Sequence, residues 1–433
     1  MAVEPTLGFS SPATFAARHL RRNFGCLVLD FGTFGVGMSF ASTATIIPAL
    51  AERLGASNLI IGAIPAISIL GFALPPLFYA NYTERVRAKL PFILKYTVWE
   101  RLPFLMLAAL AYFLAEREPA VVVAGILLAL ATMSAVGGAL MPAWMDLIAK
   151  AIPATYRGRL MAFSSTIGAG LGMGGAAVAG YYLATYRYPL NYSLCLLSGF
   201  VFLMLSWVAL AMVKEPMLET HRDEMGFGAY ARRLPTILRH DRDFSLYLVA
   251  RAVGSLAGMA GGFYAVFALR DLAAPEYQVA RFTLVLLAGQ TAAGLLFGYL
   301  ADHLGHKPVL VVGMLATVLG NLVALLAGSI WHVYAVFFFV SVSGTAGVVS
   351  ALNLAMEFAP EAERPTYIGL ATTLIAPLGF ASSLIAGLLA DVVGYRVVFA
   401  VAGTFAVAAA LVLALWVRDP RRVAREVTEA RSA

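Results

Sequence analysis

Twelve runs of about 20 apolar residues follow one another along this chain, each long enough to cross the hydrocarbon core of a bilayer as a helix. They lie near 24–50, 58–80, 91–115, 120–147, 159–183, 190–213, 244–269, 279–301, 308–329, 333–356, 366–389 and 397–417. A segment in lipid must satisfy its own backbone groups, so such a chain folds as an all-α integral membrane protein or not at all. Composition agrees: 61% of the 433 residues are hydrophobic and 13% charged, against about 25% charged in soluble domains. The third run carries Lys95, Glu100 and Arg101. Residues 102–115 alone are too short to span, so those charges must ride on the helix itself.

Orientation follows from arginine and lysine. The loops on one side, together with both termini, hold 22 of the 31, the other side holds 6, and Lys95, Arg101 and Arg251 lie within runs. The positive-inside rule therefore puts both ends in the cytoplasm. The net charge of +7 does not gather on one periodic face, which argues against nucleic acid as a partner. Arginine outnumbers lysine 26 to 5, a hint of a GC-rich prokaryotic genome and hence of an inner membrane. The N-terminal stretch has no short apolar core followed by a cleavage site, so the first run is expected to stay in the mature protein. Cys26 and Cys195 sit near opposite ends of separate runs and read as small core residues.

The longest polar stretch, 214–243, divides the chain evenly and has the mixed charge of a solvated connector. The expected organisation is an N-tail over 1–23, a six-helix bundle over 24–213, this linker, a second bundle over 244–417 and a C-tail over 418–433. The halves also resemble each other. AIPATYRGRLMAFSSTIGAGLGMGGAAVAG aligns without a gap on FAPEAERPTYIGLATTLIAPLGFASSLIAG, so that Pro153 meets Pro360, Arg157 meets Arg364, Gly172 meets Gly379 and Gly180 meets Gly387. A second alignment sets Gly37 on Gly258, Met38 on Met259 and Asp30 on Arg251. Parallel repeats about an axis along the membrane normal are a transporter architecture.

Between the eighth and ninth runs lies GYLADHLGHKP, residues 298–308. It resembles the signature loop of the major facilitator superfamily: glycine, three residues, aspartate, a basic residue, any residue, glycine and two basic residues. Gly298, Asp302, His303, Gly305, His306 and Lys307 fill that pattern. With twelve runs, a central linker and two repeats, the chain is similar to the bacterial members that have 12 transmembrane helices, over about residues 20–420. The resemblance implies two six-helix bundles, a monomer, no cofactor, and gating roles for Gly298, Asp302, Gly305 and Lys307. There are departures. The first-half counterpart YANYTERVRAK has Thr83 at the aspartate position, the fourth run lacks an arginine, and Met173 follows Gly172 where drug exporters carry proline.

In the family's arrangement the first, fourth, seventh and tenth helices line a central cavity. The implied lining is Ser39, Ser42, Thr43 and Thr45, then Ser134, Met141 and Trp144, Tyr264 and Phe267, Gln290 of the eighth, and Ser343 and Asn353. None is charged, which suits an amphiphilic or lipophilic compound better than a multiply charged one. Serine and threonine also bond back to their own helices, so packing competes with a binding role at each position.

The charges within runs need partners, since an ion in the bilayer core usually faces the protein interior and is paired. Arg251 lies about 12 Å into its helix from Asp243. Three answers stay open for it: its repeat counterpart Asp30 across the cytoplasmic gate when that gate is shut, Glu357 within its own half, or snorkelling, backbone carbonyls or a substrate carboxylate. Arg101 has Asp30 and Asp146 as its simplest partners. Glu100, adjacent to it, is expected to pair elsewhere because neighbouring positions on a helix do not face each other. Asp30, Glu100 and Asp146 are the candidates for proton coupling, with structural pairing as the competing role.

The expectation is a secondary active transporter that exports a small amphiphile, driven by a proton or ion gradient. The alternatives are a uniporter, a lipid-type translocator, or a protein of this fold that senses or assembles without transporting. A membrane enzyme is disfavoured: the six histidines lie in loops or tails without metal-ligand spacing, and no nucleophile elbow, zinc motif or phosphate-binding loop is present. Anionic lipid headgroups are expected partners of the basic C-tail.

Overall fold

A computed structural model describes residues 12–76, 78–79, 86–216, 241–360 and 363–421. The central part of the linker, most of the C-tail and Thr83 lie outside the described residues. Twelve spans are present. Ten are long and apolar enough to cross a membrane. The other two are a first span divided into Pro12–Phe40 and Ile46–Arg53, and a short second one beginning at Asn58–Ala73. Large apolar side chains such as Phe78, Trp331 and Val348 are exposed.

The expected continuous helices differ from those observed at particular places. Spans one and seven both break near mid-membrane, at 41–45 and after Gly258–Ala260, and these stretches correspond in the repeat. At the second break Gly258, Gly261 and Gly262 weaken the helix, and at the first Ser42, Thr43 and Thr45 are poor helix formers. Span three breaks at Thr97, between Lys89–Tyr96 and Val98–Leu114. Span eleven breaks between Arg364–Thr373 and Ala376–Val393. By contrast, single residues connect spans eight to nine and eleven to twelve. Gly305 and Gly394 end one helix and start the next at φ 95° and 84°, a left-handed conformation that only glycine adopts without strain.

Within each half, spans one, five and six pack together, as do seven, eleven and twelve, while across the halves span five meets span eight and span eleven meets span two. The repeat-matched glycines sit on these two seams. A Cβ on Gly172 would lie 3.3 Å from Leu287 and one on Gly180 3.3 Å from Ala280. On the equivalent seam, a Cβ on Gly379 would lie 3.5 Å from Ile69 and one on Gly387 only 2.6 Å from the Asn58 carbonyl. The sequence repeat is thus a repeat of contact surface, with small residues letting helices from different halves approach closely.

The core is not evenly shared between the two ends of the bundle. One large apolar cluster runs across both halves, from Ile47, Ile61 and Ile64 to Phe263, Phe267, Phe282 and Phe399. Towards the other end the core divides. Leu27, Leu147 and Leu160 belong to a cluster of the first half, and Tyr247, Leu354 and Leu370 to one of the second.

Candidate functional site

Each half holds a cavity, and the two occupy equivalent places. In the first half, spans one, three and four contribute Asp30, Phe31 and Phe34, Thr97, Glu100 and Arg101, and Met141 and Trp144 to a cavity of about 330 Å³. In the second, spans seven, nine and ten contribute Arg251, Ser255 and Tyr264, Met314 and Thr317, and Ser343 to one of about 340 Å³. Asp30 and Arg251, which coincide in the sequence repeat, therefore stand in corresponding pockets with opposite charge.

The first pocket is built around the break at Thr97. Arg101 is buried, and its Nη1 donates to the Thr97 carbonyl at 2.9 Å and also meets Thr97 Oγ1. Thr97 Oγ1 donates to Glu100 Oε2 at 2.9 Å, and Arg101 Nη1 lies 3.5 Å from that same oxygen. The expectation that adjacent Glu100 and Arg101 would find separate partners is therefore corrected. Both side chains bend back to the same break one turn earlier, and there they meet. Nε of Arg101 donates to the Leu203 carbonyl at 2.9 Å, and Nη2 to Ser206 Oγ at 3.1 Å. Ser206 Oγ in turn donates to Asp30 Oδ1 at 2.6 Å. Arg101 thus reaches Asp30 through a hydroxyl.

Asp146 does not join this network. It pairs with Lys150 at 2.9 Å and with Lys89 at 3.7 Å. Lys89 stands about 18 Å before Arg101 along span three, too far for one carboxylate to serve both. Nor does Arg251 meet either of its expected carboxylates in this conformation. Asp30 is held in the first half, and Glu357 Oε1 accepts from Arg421 Nε at 2.6 Å. Arg421 also donates to the carbonyls of Ala301 and Asp302 at 3.1 and 3.3 Å, so the start of the C-tail grips the signature loop. In that loop the Asp302 side chain is exposed, and Lys307 Nζ donates to the Ala414 carbonyl at 3.1 Å.

The neutral candidates separate into two groups. Met141 and Trp144 line the first pocket, and Tyr264 and Ser343 the second. Ser39 and Ser134 are buried and donate to carbonyls of their own helices, at 2.7 Å to Val36 and 2.6 Å to Leu130. Ser42 and Phe267 are buried in the core, Thr43 and Gln290 are half-buried, and Asn353 bonds back to Val349 at 2.7 Å. Thr45 meets Thr283 of the other half at 2.6 Å. Thr97, Ser206, Phe31, Phe34 and Phe72 were not expected, because nothing in a run of apolar and hydroxyl residues marks which of them will face a cavity.

A second unexpected constellation ties the halves together at one end. Arg270 of span seven forms an ion pair with Glu52 and donates to Asn58 Oδ1 at 3.1 Å, to the Ala56 carbonyl at 3.2 Å and to Tyr395 OH at 2.9 Å. Tyr395 donates in turn to Asn58 Oδ1 at 2.6 Å. Asp391 accepts from the backbone N–H groups of Asn58 and Leu59, each at 3.2 Å, which places a carboxylate from one half on the helix N-terminus of the other. Arg53 and Glu276 add a further pair at 3.4 Å. At the opposite end the polar contacts among the described residues run within each half, as in Lys150 with Asp146 or Arg421 with Glu357.

Twelve spans in two related halves, a cavity in each and a polar lock at one end define a membrane protein of transporter fold. The sequence profile of the Major Facilitator Superfamily matches residues 29–273 and 246–433, and the chain belongs to that family. Among solved structures it is similar to a nucleoside transporter, NupG, at a TM-score of 0.69 and 11% identity, covering 90% of this chain and 98% of that one. It is similar to a POT family transporter in complex with 5-aminolevulinic acid at 0.70 and 12%, covering 92% and 96%. A bacterial homologue of the iron transporter ferroportin, in an inward-facing state, gives 0.67 and 15% over 92% and 99%. Identities this low establish the fold alone. No curated protein matches the sequence significantly.

Proposed function

We propose that this protein is a secondary active transporter that moves a small amphiphilic or lipophilic compound by alternating access, outward and at the expense of a proton or ion gradient. The observation that carries the reading is the placement of one pocket in each half, on repeat-equivalent spans, while the cross-half lock and the shared core lie at one end only. Two halves that rock against each other open such pockets towards the end that lacks the lock. The lock lies at the arginine-poor end, so the positive-inside rule makes this a conformation shut to the outside. Phe31, Phe34, Phe72, Met141 and Trp144 offer a substrate an apolar wall. Asp30 and Glu100 border the same pocket and are the carboxylates best placed to exchange a proton with its contents.

A second reading rests on Arg101, which engages Glu100 directly and Asp30 through Ser206. In that reading the carboxylates are structural, and the protein is a uniporter or uses another ion. Proteoliposomes with an internal pH dye, challenged with lipophilic cations, neutral amphiphiles and organic acids, separate the two. Compound-dependent proton flux that disappears in Asp30→Asn or Glu100→Gln supports coupled transport. Equilibration of a labelled compound with no proton movement supports the uniporter, and no movement of any compound argues against transport.

A further inference from the structure

We infer that the second-half pocket is a binding site for a singly charged anion, a carboxylate or sulfonate on an apolar body, held by Arg251. The inference deepens the transporter reading by naming the charge and shape of a substrate, and rests on that reading only for the substrate's fate.

Arg251 stands inside an apolar span, and its Nε is sealed from solvent with no hydrogen-bond acceptor among the described residues. The carboxylates that the sequence offers it are engaged elsewhere, Asp30 with Ser206 and Glu357 with Arg421. The other donors of the cavity are also spent. Ser255 Oγ donates to the Ala252 carbonyl at 2.8 Å, and Tyr264 OH to Asn321 Oδ1 at 3.0 Å. Thr317 Oγ1 donates to the Gly313 carbonyl at 3.1 Å and lies 2.6 Å from Ser343 Oγ, so the serine proton is used on the threonine. A ligand therefore finds one group with N–H donors to give, and that group carries a full positive charge.

Arg251 is also the one charged residue in the lining, so it balances one negative charge and leaves the second charge of a phosphate dianion unmatched. The remaining wall is apolar. Leu310, Met314, Val340 and Ile375 supply side chains. Gly258, Gly344 and Gly347 leave open the space that a Cβ would enter. A guanidinium in the wall of such an apolar cavity recognises an acid on an apolar body by a forked, charge-assisted contact.

The test uses the purified full chain in detergent micelles and isothermal titration calorimetry with benzoate, 1-naphthoate and octanoate, each beside its neutral amide. At least one acid is expected to bind roughly ten-fold to a hundred-fold more tightly than its amide. Arg251→Gln should bring that ratio to about one, whereas Arg251→Lys keeps part of it, because the charge remains and the fork is lost. Gly347→Leu, which puts a side chain into the cavity and keeps the guanidinium, should weaken acid and amide together. An absence of acid-over-amide preference across the three pairs, including an absence of binding, overturns the proposal, and so does a preference that survives Arg251→Gln in a variant that melts like the parent. Binding in micelles needs no vectorial movement, so a protein that transports nothing can still pass. A transporter of cations alone would pass the flux assay and fail here.

Discussion

Arg270 of span seven donates to Asn58 Oδ1 of span two at 3.1 Å, across the boundary between the two halves. The same guanidinium holds Glu52 and Tyr395, so one side chain gathers residues from spans one, two and twelve. Its removal leaves Glu52 and Asn58 without their common partner at the end where the halves meet. Arg270→Ala is expected to shift the conformational equilibrium towards separation of that end by about ten-fold or more, the worth of one or two charge-assisted bonds. Spin labels at Arg187 and Gly328, both exposed at that end, would read the change as a longer inter-half distance. An unchanged distance distribution would mean that the apolar core alone keeps this end shut.

Gly387 gives a sharper test of the same seam. A Cβ there would meet the Asn58 carbonyl at 2.6 Å and Leu59 Cα at 2.7 Å, both of them backbone atoms that cannot swing aside. Gly387→Ala should therefore destabilise this conformation by about 1–3 kcal/mol, as overpacking does. Gly174→Ala, where nothing lies within 4 Å, should instead be neutral or slightly stabilising through helix propensity. Thermal melting of the two variants in one detergent compares them directly. Equal melting temperatures would count against close backbone packing at this seam.

Ser206 is the bridge between Arg101 and Asp30. Ser206→Ala leaves a buried carboxylate oxygen and a buried N–H without their shared partner, with an expected cost of about 1–3 kcal/mol. Ser206→Thr keeps the hydroxyl and should recover most of that loss. The readout is again the melting curve, this time with the proton flux of both variants beside it. Lost stability with flux intact assigns the bridge a structural role, and lost flux in a stable Ser206→Ala protein ties Asp30 to coupling.

Glu215 lies at the start of the connector and caps another segment altogether. Its two oxygens accept from the backbone N–H groups of Lys89 and Leu90, each at 2.8 Å, at the first turn of span three. Glu215→Ala should cost about 0.5–2 kcal/mol as the loss of a helix N-cap, with Glu215→Gln closer to the parent. Amide hydrogen exchange over residues 89–96 should accelerate in Glu215→Ala and not over 119–151. Faster exchange in both segments would point to general loosening of the bundle instead.

The sequence by itself determined that this chain spans a membrane many times, that it folds as two related halves, and where glycine would be needed. Hydropathy over about 20 residues, the glycines of the repeat and the signature loop at 298–308 are properties of neighbouring residues, so each can be read along one dimension. Gly172 and Gly379 coincide in the sequence repeat, and in the structure they lie on equivalent helix pairs. Partner choice was decided only by the tertiary structure. Glu100 and Arg101 meet because span three breaks at Thr97, a break that no hydropathy window shows. Asp30 and Arg251 stay apart because equivalent positions in a two-fold repeat occupy separate, equivalent pockets, so sequence correspondence placed their charges without making them neighbours. Arg270, Asn58 and Asp391 carry no pattern that sets them apart along the chain, and they form a lock because their partners are set by which helix ends the packing brings together.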